Sequence, residues 1–178
     1  MNELQTYETL IRQKSTGRAL LPRIFLILVY LVWVTLWLAL LLRFHFRIPL
    51  VLLGPLTTLP LILITWKYVQ VEYEYTIGGG TFFLAKVYGK KKRKPLLEAE
   101  LKSALLIAPR TEEFMEKAER MGVDEVIWAV STPESERIWM LLYEEEESKE
   151  RILLFFEGEE RSIRLLRHYN PRATARLF

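Results

Sequence analysis

The sequence predicts an α+β membrane protein: a two-helix transmembrane hairpin followed by an antiparallel β-barrel-like domain with a C-terminal helix. Three observations carry this reading. Residues 24–42 and 48–66 are each 19 residues long without a charge, and at 1.5 Å per residue either run can cross a hydrocarbon core of about 30 Å. From Gln70 onward the apolar period changes to two, as in half-buried strands. Near the end, residues 159–169 return to a helical period and stop at Asn170 and Pro171.

The elements follow in order. Leu4, Tyr7, Leu10 and Ile11 recur at helical spacing ahead of Arg12, Lys14 and Gly17. They predict a short interfacial helix, with a frayed tail as the alternative. Residues 1–23 form a basic cytoplasmic segment and 24–66 the hairpin, whose connection is only Arg43, Phe44, His45, Phe46 and Arg47. So short a connection makes the helices antiparallel neighbours and puts both ends of the chain on one side. Arg12, Lys14, Arg18 and Arg23 precede the first span and Lys67 follows the second, so the positive-inside rule predicts an N-in, C-in multi-pass protein of the inner (plasma) membrane. Arg23, Trp66 and Lys67 sit at the span ends, where a ring or a snorkelling cation anchors a helix. Gly54, Pro55 and Pro60 predict a kink in the second span. Neither span carries an Asp, Glu, Lys, Arg or His, so nothing marks an ion or proton path.

Residues 67–178 form the cytoplasmic domain. Val71, Tyr73, Tyr75 and Ile77 alternate with polar residues, Gly78 to Gly80 form a turn, and Thr81–Tyr88 returns. Strands near 96–100 and 103–108 complete a predicted four-strand meander. Thr111 is placed to cap a helix whose inner face is Phe114, Ala118 and Met121 and which ends at Gly122. Strands at 126–131, 138–143 and 151–157 follow, the last two flanking the acidic loop 144–150. That loop lacks the spaced oxygens and glycine bend of a calcium loop and reads as a solvated tip.

Seven strands followed by one helix, over residues 70–170, resemble the pleckstrin-homology-like barrel, with the helix at 111–121 inserted between the fourth and fifth strands. The runs "VEYEYTI", "AKVYGKKKRKPLLEAELKSALLIAP" and "PRATARLF" behind two spans are also similar to an uncharacterised family of small two-span membrane proteins of Gram-positive anaerobes. That resemblance implies the architecture and carries over no catalytic residue.

The most distinctive stretch is Lys90, Lys91, Lys92, Arg93 and Lys94, five consecutive cations between apolar runs. A strand leaving the second span rises about 25 Å over eight residues at roughly 3.3 Å each, and its return would bring this turn back to the headgroups. There each cation contributes about 1 kcal/mol against an anionic surface. The turn is therefore assigned to membrane-surface contact. The first hairpin turn, "IGGGT", lacks the cation a specific inositol-phosphate site would use.

Other chemistry finds little support. Residues 1–67 carry 7 Lys+Arg against 2 acidic residues and residues 68–178 carry 18 against 20, so the domain lacks the general positive field of a nucleic-acid binder. No cysteine is present, which excludes disulfides and thiolate metal sites. The two histidines, His45 and His168, fall on opposite sides of the expected membrane, so they share no metal site. No H-E-x-x-H, G-x-S-x-G or Walker loop occurs. The reading is a non-catalytic integral membrane protein without cofactor or metal. Its partners are expected to be the anionic bilayer surface and a protein, not nucleic acid; an accessory subunit of a transporter or membrane enzyme is the alternative.

Overall fold

The computed structural model describes residues 6–13, 20–43 and 48–175. Lys14, Gly17 and Arg18, the helix connection at 44–47 with His45 and Arg47, and the last three residues lie outside the described part, as does Leu4. The elements are β1 (Thr6–Arg12), α1 (Leu21–Arg43), α2 (Ile48–Trp66), β2 (Val71–Gly78), β3 (Thr81–Tyr88), β4 (Lys92–Glu100), β5 (Ala104–Pro109), α3 (Glu112–Met121), β6 (Glu125–Ala129), β7 (Ile138–Glu144), β8 (Arg151–Glu157) and α4 (Glu160–Tyr169).

Contacts divide these elements into two units. One combines residues 1–13, 72–87 and 93–178, and the other combines 14–71 with 88–92. The β unit is therefore discontinuous: its first strand precedes the apolar helices. Tyr7 and Ile11 are buried while Leu10 is 56% exposed, so the expected interfacial helix is instead a strand. Tyr7 and Ile11 share a face at both helical and strand spacing, and pairing with β2 decides between them. That pairing is antiparallel from Thr6↔Gly78 to Arg12↔Glu72.

The strands form two four-stranded sheets, ordered β1-β2-β3-β4 and β5-β7-β8-β6. They do not close into the expected barrel. The predicted meander ends at β4, because the one-turn 3-10 segment Leu101–Ser103 diverts the chain and β5 pairs with β7. The fourth place in the first sheet belongs to β1. After α3 the chain returns as β6, parallel to β8, from Glu125↔Ile152 to Ala129↔Phe156.

Between the sheets lies an aromatic core. Tyr75 and Phe82 stack with centroids 5.5 Å apart, and Phe156 meets them edge-on at 5.8 and 5.3 Å. The opposite face of the second sheet packs with Ala118 of α3, and Phe114, Met115 and Met121 close that cluster around Phe155, Met140 and Leu142. Burial on both faces explains why β7 (IWMLLYE) and β8 (RILLFFE) read as continuous apolar runs rather than alternating ones. Thr111 occupies the N-cap of α3 without a side-chain cap bond, and Gly122 ends the helix at φ +84°. In α4 the capping box is formed by Glu159 and Ser162.

The second unit contains the apolar hairpin. Both helices are long and apolar enough to cross a membrane. Large apolar side chains stand exposed along them, including Leu21, Leu36, Leu42, Leu56 and Leu63. The helix α2 runs through Gly54, Pro55 and Pro60. Gly54 lets the helices approach: a Cβ there would strike the indole of Trp37. The Tyr30 hydroxyl and the Thr65 hydroxyl join the helices by a hydrogen bond. Thr57 and Thr58 return their hydroxyls to carbonyls of the preceding turn, which satisfies both polar groups within the helix.

Candidate functional site

The basic turn is built by backbone geometry. Gly89 and Lys90 both have positive φ, +56° and +62°, and the Lys91 N–H donates to the Tyr88 carbonyl at 3.2 Å. Two central residues of positive φ make the tight hairpin turn whose twist matches β-strands. Glycine takes this conformation freely, whereas Lys90 adopts it at a cost of about 1 kcal/mol. Every side chain from Lys90 to Leu96 is exposed.

The turn is attached to the end of the apolar hairpin. The Gly89 N–H donates to the Gln70 carbonyl at 3.0 Å, and a Cβ on Gly89 would lie 2.7 Å from the Lys67 Cβ. Arg23, at the start of α1, donates to the Val69 carbonyl at 3.4 Å, and the Lys67 ammonium stands 5.1 Å over the Tyr68 ring. Three sequence-assigned anchors, Arg23, Trp66 and Lys67, therefore share one end of the helical unit with Lys90, Lys91 and Lys92.

Arg93 does not act with its neighbours. Its Nε donates to Glu74 Oε2 at 2.6 Å, and the Glu74 side chain is only 11% exposed. The hydrogen bond to Glu74, and then that carboxylate's charge, hold the guanidinium above its ordinary pKa. Arg93 thus neutralises a nearly buried carboxylate across the first sheet. Lys90, Lys91, Lys92 and Lys94 make no ion pair among the described residues. The run of five cations divides into one structural arginine and four available ammonium groups, and this division depends on Glu74, which no reading of the turn itself would nominate.

A second polar cluster lies at one end of the sandwich. The Tyr7 hydroxyl donates to Glu159 Oε2 at 2.8 Å, and the Tyr75 hydroxyl donates to the Glu157 carbonyl. Burial foremost, with the Glu159 hydrogen bond next, raises the Tyr7 pKa; burial likewise raises Tyr75. Neither tyrosine was distinguishable from core aromatics in the sequence. Asn170, read there only as a helix stop, donates to the Leu101 and Ala104 carbonyls at 2.7 and 3.2 Å and fixes the corner between β4 and β5.

The acidic loop lines a shallow hollow with Glu98, Glu100 and Tyr143. Among the described residues no group of three or more acids or histidines is arranged to hold a metal ion. His168 is exposed beside Tyr169, with ring centroids 5.5 Å apart.

Two sheets, a C-terminal helix and the N-terminal apolar pair agree with a family match. Residues 5–176 match the family described as Bacterial PH-like domain (DUF6106). The chain belongs to this family. The match starts ahead of β1 and continues through α1 and α2 to the end of α4. No curated protein and no solved structure matches the chain.

Proposed function

We propose that this PH-like protein is a non-catalytic, two-span protein of the bacterial inner membrane, with both chain ends in the cytoplasm, whose lysine turn contacts anionic headgroups and whose β unit serves a protein partner. The carrying observation is the 3.0 Å hydrogen bond from Gly89 to Gln70, immediately after α2. It ties the lysine turn to the chain where it leaves the second apolar helix. If α2 ends at the headgroups, Lys90, Lys91 and Lys92 lie within a Debye length of them, about 8 Å at physiological salt. These three lysines then contribute roughly 3 kcal/mol, at about 1 kcal/mol each.

Strand pairing supports the same-side arrangement independently of charge counting. Strand β1 precedes the hairpin and pairs with β2 after it, as expected of a chain that returns to the side it left. Placing that side in the cytoplasm rests on the basic residues flanking the spans.

The absence of native cysteine makes site-specific labelling direct. Full-length protein carrying Lys91→Cys with a fluorophore is placed in nanodiscs of neutral or anionic lipid containing headgroup-quencher lipid. Quenching that is stronger in anionic discs and relieved by salt supports the contact. Equal, salt-indifferent quenching in both lipids rejects it. Cysteines introduced at positions 2 and 178 should resist a membrane-impermeant maleimide in intact cells; labelling of either overturns the orientation.

A further inference from the structure

A cleft of about 240 Å³ opens between the free edge of β1 and the end of the second sheet, lined in part by Thr9 to Arg12, Ser131, Arg137, Glu157 and Glu159. Among the described residues, strand β1 stands at the sheet edge and pairs only with β2. Alternate residues of an edge strand present unpaired N–H and C=O groups, which natural proteins cover, blunt or use as a template for an incoming strand. Here the template faces a cleft.

The charges in the cleft are unequally engaged. Glu157 Oε1 accepts the Ser131 N–H at 2.8 Å. Glu159 accepts the Tyr7 hydroxyl at 2.8 Å and also takes part in the capping box of α4. Both carboxylates keep their formal charge, so the cleft's four charges balance, but their oxygens are engaged in the fold. Arg12 and Arg137 are exposed and make no hydrogen bond or ion pair from their side chains among the described residues. The hydrogen-bonding capacity left over in the cleft is the guanidinium donors of Arg12 and Arg137, beside a strand edge that is unpaired among the described residues.

We infer that this cleft binds an extended acidic peptide segment of a partner protein, which adds to β1 as a further strand and places carboxylates against Arg12 and Arg137. Main-chain hydrogen bonds to β1 supply affinity, and the two guanidinium groups select for acidic side chains. The site consists wholly of residues from the β unit and does not depend on the membrane reading of the lysine turn.

The test uses full-length protein in neutral-lipid nanodiscs and a fluorescein-labelled eight-residue peptide of alternating valine and glutamate, read by anisotropy. Binding should weaken about ten-fold or more in Arg12→Gln/Arg137→Gln, since losing about 1.4 kcal/mol is ten-fold. It should survive in Arg12→Lys/Arg137→Lys more than in the glutamine pair, fall with salt, and vanish when alternate peptide amides are N-methylated. The inference is overturned if the peptide does not bind, if a lysine-for-glutamate peptide or the N-methylated peptide binds equally, or if inorganic phosphate alone displaces it. It is also overturned if binding follows neutralisation of Lys90, Lys91, Lys92 and Lys94 rather than the arginines. Circular dichroism of each variant verifies that the fold is retained.

Discussion

Strand β1 gives the most discriminating structural prediction. A chain starting at residue 68 would keep β2 to α4 and lose β1. It would leave the places of Tyr7 and Ile11, 7% and 8% exposed, without side chains. Emptying a buried isoleucine site costs about 2–5 kcal/mol and an aromatic site about 3–5. Loss of the Tyr7 bond to Glu159, a charged acceptor, adds about 1.5–3 kcal/mol. Truncation also frees seven residues from ordering, at about 1–2 kcal/mol each for the backbone, while forfeiting their ladder to β2. The side-chain losses and the freed backbone entropy nearly offset each other, so the forfeited ladder sets the net loss, at about 0.5–1 kcal/mol for each of its hydrogen bonds, or roughly 3–5 kcal/mol, a large part of a domain stability of about 5–15. The reference is a chain in which Arg12 is joined to Glu72 through an inserted Asn-Gly turn. These residues are cross-strand partners, so a two-residue hairpin turn spans them. At a urea slope of about 2 kcal/mol per M, the truncated chain should unfold about 2 M earlier, followed by far-ultraviolet dichroism. Coincident transitions would refute the assignment of β1 to the fold.

Three more outcomes follow. Gly54→Leu should loosen the helical hairpin, because any side chain there meets Trp37; a lower unfolding temperature in detergent, partly restored by adding Trp37→Ala, is expected, and an unchanged temperature contradicts the packing. Lys90→Gly should stabilise the β3–β4 turn by about 1 kcal/mol by removing a side chain from positive φ, whereas Lys90→Ala should not; denaturant unfolding separates the two. Burial foremost, then the charges of Glu145 and Glu125, push the Tyr143 phenol up to about 12. Because the folded protein holds that proton more tightly than an unfolded chain with a pKa of about 10, this contribution is complete below pH 10 and is lost as pH rises toward 12. Phenolate absorbance should show Tyr143 ionising late, and Tyr143→Phe should flatten that part of the stability profile.

Local pattern was sufficient wherever one segment sets its own environment. The two apolar helices, the β2–β3 hairpin, α3 with its buried Ala118 and α4 with its basic end all follow from periodicity, glycines and caps within a few residues. The two-sided burial of β7 and β8 was visible as uninterrupted apolar runs, although what covered each face was not. The ends of the two apolar helices were also legible, because Arg23, Trp66 and Lys67 mark where the long apolar runs start and stop.

Tertiary structure decided what depends on residues distant in sequence. Tyr7 and Ile11 fit a helix or a strand equally well, and only β2, beyond the apolar pair, makes them a strand and inserts the hairpin into the domain. Likewise, β4 ends in a turn compatible with several partners, and the pairing of β5 with β7 produces two open sheets rather than a closed barrel. The lysine run illustrates the same limit at a single residue. Sequence determined its charge and the tight turn at its start, but the expected turn over 89–95 ends at Lys91, because Lys92, Arg93 and Lys94 belong to β4, and a nearly buried carboxylate on another strand, Glu74, decided that Arg93 is held in the fold while the four lysines remain available. Charge and periodicity are properties of neighbouring residues; pairing and neutralisation arise only when separate strands are brought within hydrogen-bond distance.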